Sequence, residues 1–284
     1  MRLNDFSKNI RVNDQRGMGG GLGGGGKVGC GAIVIALIGA VFFGIDPMTT
    51  LGVVEGVQQG GAPTGQGNGK TVEESCSVNQ YSRETCAALS SLDATWQPLF
   101  QEAGIAFKQP VLNFYDGRGQ SGCGAAQSAM GPFYCPTDQG IYIDTSFYDQ
   151  MDQQLGAGGD FARAYVIGHE YGHHVQTLTG TSNWVRQMQQ QNPQMANQLQ
   201  VRMELQADCY AGVWAAKNPQ LIEPGDIEEG LTAASAIGDD ALTKGRVSPD
   251  NFTHGTSQQR MQWLQKGLKT GDEDQCDTFA DVRR

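Results

Sequence analysis

The sequence predicts an α+β domain, mostly helical with a small sheet and preceded by one transmembrane helix. Three observations lead there: a single uncharged apolar run near the N-terminus, two short β-type runs after it, and helical periodicity through most of the remainder. A chain of 284 residues can bury one sizeable core and carry appendages besides.

Glycine numbers 40, with much of the surplus at 17–31 and 52–69. Runs such as 23–26 cannot repay the entropy of ordering glycine and read as tethers. Residues 1–27 therefore read as a Gly-rich cytoplasmic tail. Val28 to Ile45 is eighteen residues without a charge, enough for one transmembrane helix at the short end of the range. No small-x-small cleavage site follows it, since Phe42, Phe43, Ile45, Asp46 and Pro47 occupy that end. Arg2, Lys8, Arg11, Arg16 and Lys27 precede the run, while only Asp46 and Glu55 follow closely. The positive-inside rule then holds the N-terminus in the cytoplasm and places everything after Asp46 outside. Residues 46–72 read as a flexible linker and 73–284 as the folded domain. The net charge of -10 excludes a nucleic-acid partner, which would need clustered Lys and Arg.

Of seven cysteines, Cys30 falls in the apolar run and six lie beyond it. An even number in an exported domain points to disulfides. The short loops make Cys76–Cys86 and Cys123–Cys135 the economical pairs, leaving Cys209 with Cys276.

Along the domain, Leu89, Leu92, Trp96, Leu99 and Phe100 recur at helical spacing within 81–104. Val111 to Tyr115 resembles a strand, 119–136 is a Gly- and Ser-rich excursion, and Gly140 to Asp144 is a second β-type run. Helices are expected over 160–178, 183–191, 195–217, 225–242 and 257–268, punctuated by Pro193 and Pro219. Ile141 to Asp144 could be a sheet edge that pairs with an extended peptide.

The helix expected at 160–178 contains His169-Glu170-Tyr171-Gly172-His173-His174. Residues four apart share a helix face, so His169 and His173 can offer two imidazoles to one Zn2+, with Glu170 beside them as general base for a zinc-bound water. Gly168 and Gly172 each cost about 1 kcal/mol against Ala in a helix, so their spacing suggests that another element packs closely there. A catalytic zinc usually takes three protein ligands and leaves one position open. His174 points about 100° away around the helix and reads as exposed or as a neighbour of the ligands. Thr179 occupies the position where a third histidine of an extended motif would fall. Carboxylates remain. Glu204 and Asp208 share one face of the helix expected at 195–217, and a pair of acids on a mostly uncharged face needs partners if buried. Glu204 is the expected third ligand, and Asp208 the acceptor that orients a ligand histidine.

These two segments, with His254-Gly255-Thr256-Ser257-Gln258-Gln259-Arg260 downstream, resemble the bacterial putative neutral zinc metallopeptidase family. The resemblance implies a zincin-like fold, completion of the site by a downstream Glu as in gluzincins, and a single membrane anchor in the bacterial inner membrane with the domain in the periplasm. It also implies hydrolysis of a peptide or protein substrate, with His254 as donor to the developing oxyanion. Tyr210 and Tyr171 are weaker candidates for that donor. The rival reading is a catalytically inactive, zinc-stabilised envelope scaffold, whose site would be closed by four protein ligands.

Overall fold

The computed structural model describes residues 1–17 and 67–283. Both strands expected from the sequence lie inside a four-stranded sheet: β2 (Val111–Phe114) and β6 (Gly140–Ile143). The sheet order is β1-β2-β6-β5, with β1 (Arg11–Asp14) parallel to β2, β2 parallel to β6, and β5 (Phe133–Cys135) antiparallel at one edge. Gly140 to Ile143 is buried throughout, as an interior strand covered on both faces requires. The suggested edge at 141–144 is thereby corrected, because Ile141 lies between Leu112 and Tyr134 and the edge position belongs to β5. The excursion at 119–136 holds a hairpin of β3 (Arg118–Ser121) and β4 (Gly124–Gln127), tied to β5 by Cys123–Cys135. The other expected pairs, Cys76–Cys86 and Cys209–Cys276, are also formed.

Helices α1 (Val72–Cys76) and α2 (Gln80–Glu102) begin on Thr71 and Asn79, whose side chains accept from Glu74 and Ser82 amides. Helix α3 (Ser146–Leu155) was not evident in the sequence, which offers no long apolar repeat there, and Gly156 closes it in the left-handed region. The remaining helices are α4 (Asp160–Leu178), α5 (Thr181–Gln191), α6 (Ala196–Lys217), α7 (Asp226–Ala236), α8 (Asp239–Leu242) and α9 (Ser257–Thr270). The single helix expected over 225–242 is divided at Gly238. A Cβ there would stand 2.3 Å from the Ser257 amide nitrogen, so the chain from 253 to 257 passes where a continuous helix would carry side chains.

One core joins Leu89, Leu92 and Trp96 of α2, Leu112 and Phe114 of β2, and Ile141 and Ile143 of β6 to Ile167 of α4 and Trp214 of α6. Helix α9 lies almost backbone to backbone on α6. A Cβ at Gly267 would sit 2.0 Å from the Cys209 carbonyl oxygen, and one at Gly212 would sit 2.3 Å from that of Leu264.

Residues 1–17 are part of this unit rather than the expected tail. Arg11 to Asp14 pairs with β2, and Ile10 is buried in the core. The Arg16 guanidinium meets Asp14 at 2.8 Å, donates to the Ser75 carbonyl at 2.6 Å, and lies 4.4 Å from the Phe114 ring centroid. The Met1 α-ammonium lies 2.8 Å from Asp160, 3.1 Å from Glu223 and 3.1 Å from Asp226. Burial opposes its charge, but these carboxylates outweigh it and raise its pKa to about 10. The sequence concealed β1 because a short polar strand between charged residues has no apolar pattern to read.

The chain also returns beside the point where it departs. The Asn68 amide donates to the Asp14 carbonyl at 2.8 Å and its side chain to the Arg16 carbonyl at 3.1 Å. The flanks 1–17 and 67–283 are thereby joined in one folded unit. The expected span 28–45 lies outside the described residues. Among the described residues no helix is long and apolar enough to cross a membrane.

Because the two ends are adjacent, replacing 18–66 by a short Gly-Ser linker is expected to preserve cooperative thermal unfolding near the full-length temperature. Starting the chain at Thr71 instead removes β1 and Arg16 and is expected to lower that temperature. Equal melting of the two shortened chains would show that residues 1–17 contribute nothing to the fold.

Candidate metal centre

Helix α4 carries His169, Glu170 and His173 into the interior because its two glycines admit α6. A Cβ at Gly168 would meet Ala211 Cβ at 3.2 Å, and one at Gly172 would lie 2.8 Å from Ala207 Cα and 2.9 Å from its carbonyl oxygen. As the number rises on α4 it falls on α6, so the two helices run antiparallel. This contact brings Glu204 and Asp208, one turn apart on α6, against the histidine pair.

His169 Nε2 lies 3.1 Å and His173 Nε2 3.6 Å from the same oxygen, Glu204 Oε2. Two atoms bound about 2.1 Å from one tetrahedral ion stand roughly 3.4 Å apart, so two nitrogens and an oxygen at these spacings suit Zn2+. Among the described residues, His169, His173 and Glu204 form a group whose candidate ligand atoms lie within 4.8 Å of one another. Each outer nitrogen is engaged. His169 Nδ1 donates to Asp208 Oδ1 at 2.8 Å, and His173 Nδ1 to Gln176 Oε1 at 2.9 Å. Gln176 is held in turn by donating to the Met203 carbonyl at 2.8 Å and to Gln206 Oε1 at 3.1 Å. Gln200 donates to the other Glu204 oxygen at 2.8 Å. The donor set thus fits zinc by element, spacing and orientation.

Electrostatics describe the same pocket. Burial opposes charge on His169, yet Asp208 and Glu204 raise its pKa to about 9. Burial likewise opposes the Glu204 carboxylate, and the imidazoles of His173 and His169 hold it well below the usual range. Asp208 falls to about 2 because Arg260 and His169 outweigh its desolvation. Glu170 differs: it is buried, and desolvation raises its pKa above the ordinary carboxylate range.

The structure places the other candidates apart from the ligand group. His174 is fully buried and serves a different contact from the one expected. Its Nδ1 lies 3.0 Å from Tyr134 Oη on β5, its Nε2 donates to the Lys108 carbonyl at 2.7 Å, and burial depresses its pKa to about 4. His254 is buried with Nδ1 3.1 Å from Asp239 Oδ1, and its field is one of those that stabilise the Glu204 carboxylate. Asp239 Oδ2 accepts three consecutive amides, from Thr253, His254 and Gly255 at 2.8, 2.6 and 3.0 Å. Tyr171 donates to Asp93 at 2.7 Å and Tyr210 packs edge-on against Trp96, so both are core residues. Sequence reasoning missed Gln176, Arg260, Asp239 and Tyr165. Gln176 lies three residues after His173, a neighbouring position on the helix, which is the one signal that could have found it. A second acidic group, Asp160, Asp226 and Glu229, has its own partners in the Met1 α-ammonium and the Phe161 amide.

His169 and His173 of α4 facing Glu204 of α6 make a group that could hold a metal ion. Residues 1–279 match the family described as putative neutral zinc metallopeptidase, and this chain belongs to that family. It is 44% identical over 294 aligned residues to the uncharacterized protein YpfJ of Escherichia coli K12, covering 99% of each chain. It is also 44% identical over 207 residues to the uncharacterized protein Rv2575 of Mycobacterium tuberculosis H37Rv, covering 67% of this chain and 68% of that one. No solved structure matches the chain.

Glu204→Ala is expected to leave a folded protein with two imidazoles and weakened zinc binding. The loss should exceed the roughly 10- to 100-fold that removal of a ligand's hydrogen-bond partner costs. Zinc content after dialysis measures it, and unchanged stoichiometry would reject Glu204 as a ligand.

Proposed function

We propose that this protein is a zinc-dependent peptidase. The observation that carries the reading is the convergence of His169 Nε2, His173 Nε2 and Glu204 Oε2 on one point, with both outer imidazole nitrogens already bonded. The family is named for the same activity. Zinc, when bound, would bring the pKa of a coordinated water toward about 7 and polarise a carbonyl.

The residues of the chain divide the remaining work. Glu170, adjacent to His169 and poorly solvated, takes a proton from the attacking water and returns it to the leaving amine. His254, its Nδ1 hydrogen held by Asp239, directs Nε2 as donor to the carbonyl oxygen as negative charge develops. An extended substrate adds to the edge strand β5, which Tyr134 couples to α4 through His174. A structural zinc site is normally closed by four protein ligands, and among the described residues this group has three, which supports catalysis over the scaffold reading.

We place the protein outside the cytoplasm of a bacterial cell, at the inner membrane. Three disulfides support an oxidising compartment.

Three experiments test this. Glu170→Gln is expected to keep one zinc per chain while peptide cleavage falls by about 10²- to 10⁴-fold; cleavage retained in a clean preparation removes Glu170 from the chemistry. For location, Lys8→Cys and Lys269→Cys, each in a Cys30→Ser background, should both react with a membrane-impermeant maleimide in spheroplasts. Replacing 18–66 should release the protein from the membrane fraction. Labelling of Lys269→Cys alone would restore the single-pass arrangement.

A further inference from the structure

Arg260 is almost completely buried, at 1% exposure, and the chemistry above gives it no task. It lies in the first turn of α9, yet its guanidinium reaches the metal centre. Its Nε donates to Asp208 Oδ2 at 2.9 Å and its Nη2 to Asp208 Oδ1 at 2.9 Å, a side-by-side pair of bonds that fixes the plane of the carboxylate. Tyr165 Oη donates to the same Oδ1 at 2.7 Å and also lies 3.3 Å from Arg260 Nη2. Arg260 Nη1 donates to the Ile237 carbonyl at 3.1 Å, just past the end of α7. Arg260 Nη2 and His169 Nδ1 are 3.2 Å apart, and guanidinium has no acceptor, so Asp208 is the acceptor for both.

We infer that Arg260 is a positioning residue for the metal site, holding Asp208 in the one orientation that presents Oδ1 to His169 Nδ1 and so aims His169 Nε2 at Glu204. This role rests on the zinc reading of the site. The geometry distinguishes it from ordinary core packing. A buried guanidinium needs an anion, but it does not need that anion to be shared with a metal-ligand imidazole. The arrangement also gives α9 a function. The segment that leads into it carries His254, fixed on Asp239, and its first turn carries Arg260, so one stretch of chain orients both the proposed oxyanion donor and a ligand.

A double-mutant cycle on the full chain tests the inference: Arg260→Met, Asp208→Asn and the double variant, with Arg260→Lys as the conservative change. The readouts are the zinc dissociation constant by competition with a chromophoric chelator, the visible spectrum of the Co2+-loaded protein, and thermal unfolding of the metal-free form. Arg260→Met is expected to weaken zinc by roughly 10- to 100-fold and to alter the Co2+ bands, as loss of an orienting partner does. The double variant should bind zinc no more weakly than the weaker single, because Arg260 acts through Asp208. Arg260→Lys should fall between wild type and Arg260→Met, and it carries the same cycle if Arg260→Met does not fold. Additive losses, or a lowered unfolding temperature with unchanged zinc affinity and Co2+ bands, would overturn the role of Arg260 while leaving the metal site standing. A wild-type chain that binds no zinc would overturn the metal site itself and this role with it.

Discussion

The approach of α4 to α6 over Gly168 and Gly172 is the contact on which the rest of the site depends. Two glycines in a helix interior are unfavourable by themselves. Here they let the Ala207 and Ala211 side of α6 come within a distance that a single added carbon would violate. At that separation an imidazole and a carboxylate from facing helices reach 3.1 Å. A methyl group at position 172 would press on the Ala207 backbone, which cannot rotate aside as a side chain can. The geometry of the His169, His173 and Glu204 group is therefore a property of helix packing.

Close packing also creates an electrostatic difficulty that the outer residues resolve. Glu204, Asp208 and Glu170 are all buried, and desolvated carboxylates are costly unless each has a partner. Asp208 is answered by Arg260, His169 and Tyr165, and Glu204 by the two imidazoles and Gln200. Glu170 is the one that burial leaves with a raised pKa. One fold thus maintains acids of opposite character within two helices, Glu204 and Asp208 with lowered pKa values and Glu170 with a raised one. The Gln176 and Gln206 amides extend this order to His173 without adding charge.

The N-terminal strand changes how the architecture is understood. Asp14 sits at the junction, accepting from Arg16 and Lys70 while its backbone oxygen accepts from Asn68, so the two pieces of chain that flank residues 18–66 share one polar knot. The domain is completed by residues that the charge pattern alone assigns to the other side of a membrane.

The sequence by itself determined the elements whose signals are local. Apolar repeats located α2, α4, α6 and α9, apolar runs located β2 and β6, and the His169, Glu170 and His173 spacing placed two imidazoles on one face. Short loops suggested Cys76–Cys86 and Cys123–Cys135 and left Cys209 for Cys276, the pairs that form. What depends on contacts between distant residues was decided only in three dimensions. Arg11 to Asp14 is a strand because β2 supplies its ladder, not because its own residues favour one. Ile141 is interior because β5 covers its other side. His174, one residue from His173, is committed to Tyr134 and Lys108, and Arg260, distant in sequence, lies beside Asp208. A side chain's spacing fixes the face from which it projects, but only the packed neighbours fix what it meets there, and in this site the neighbours come from three helices.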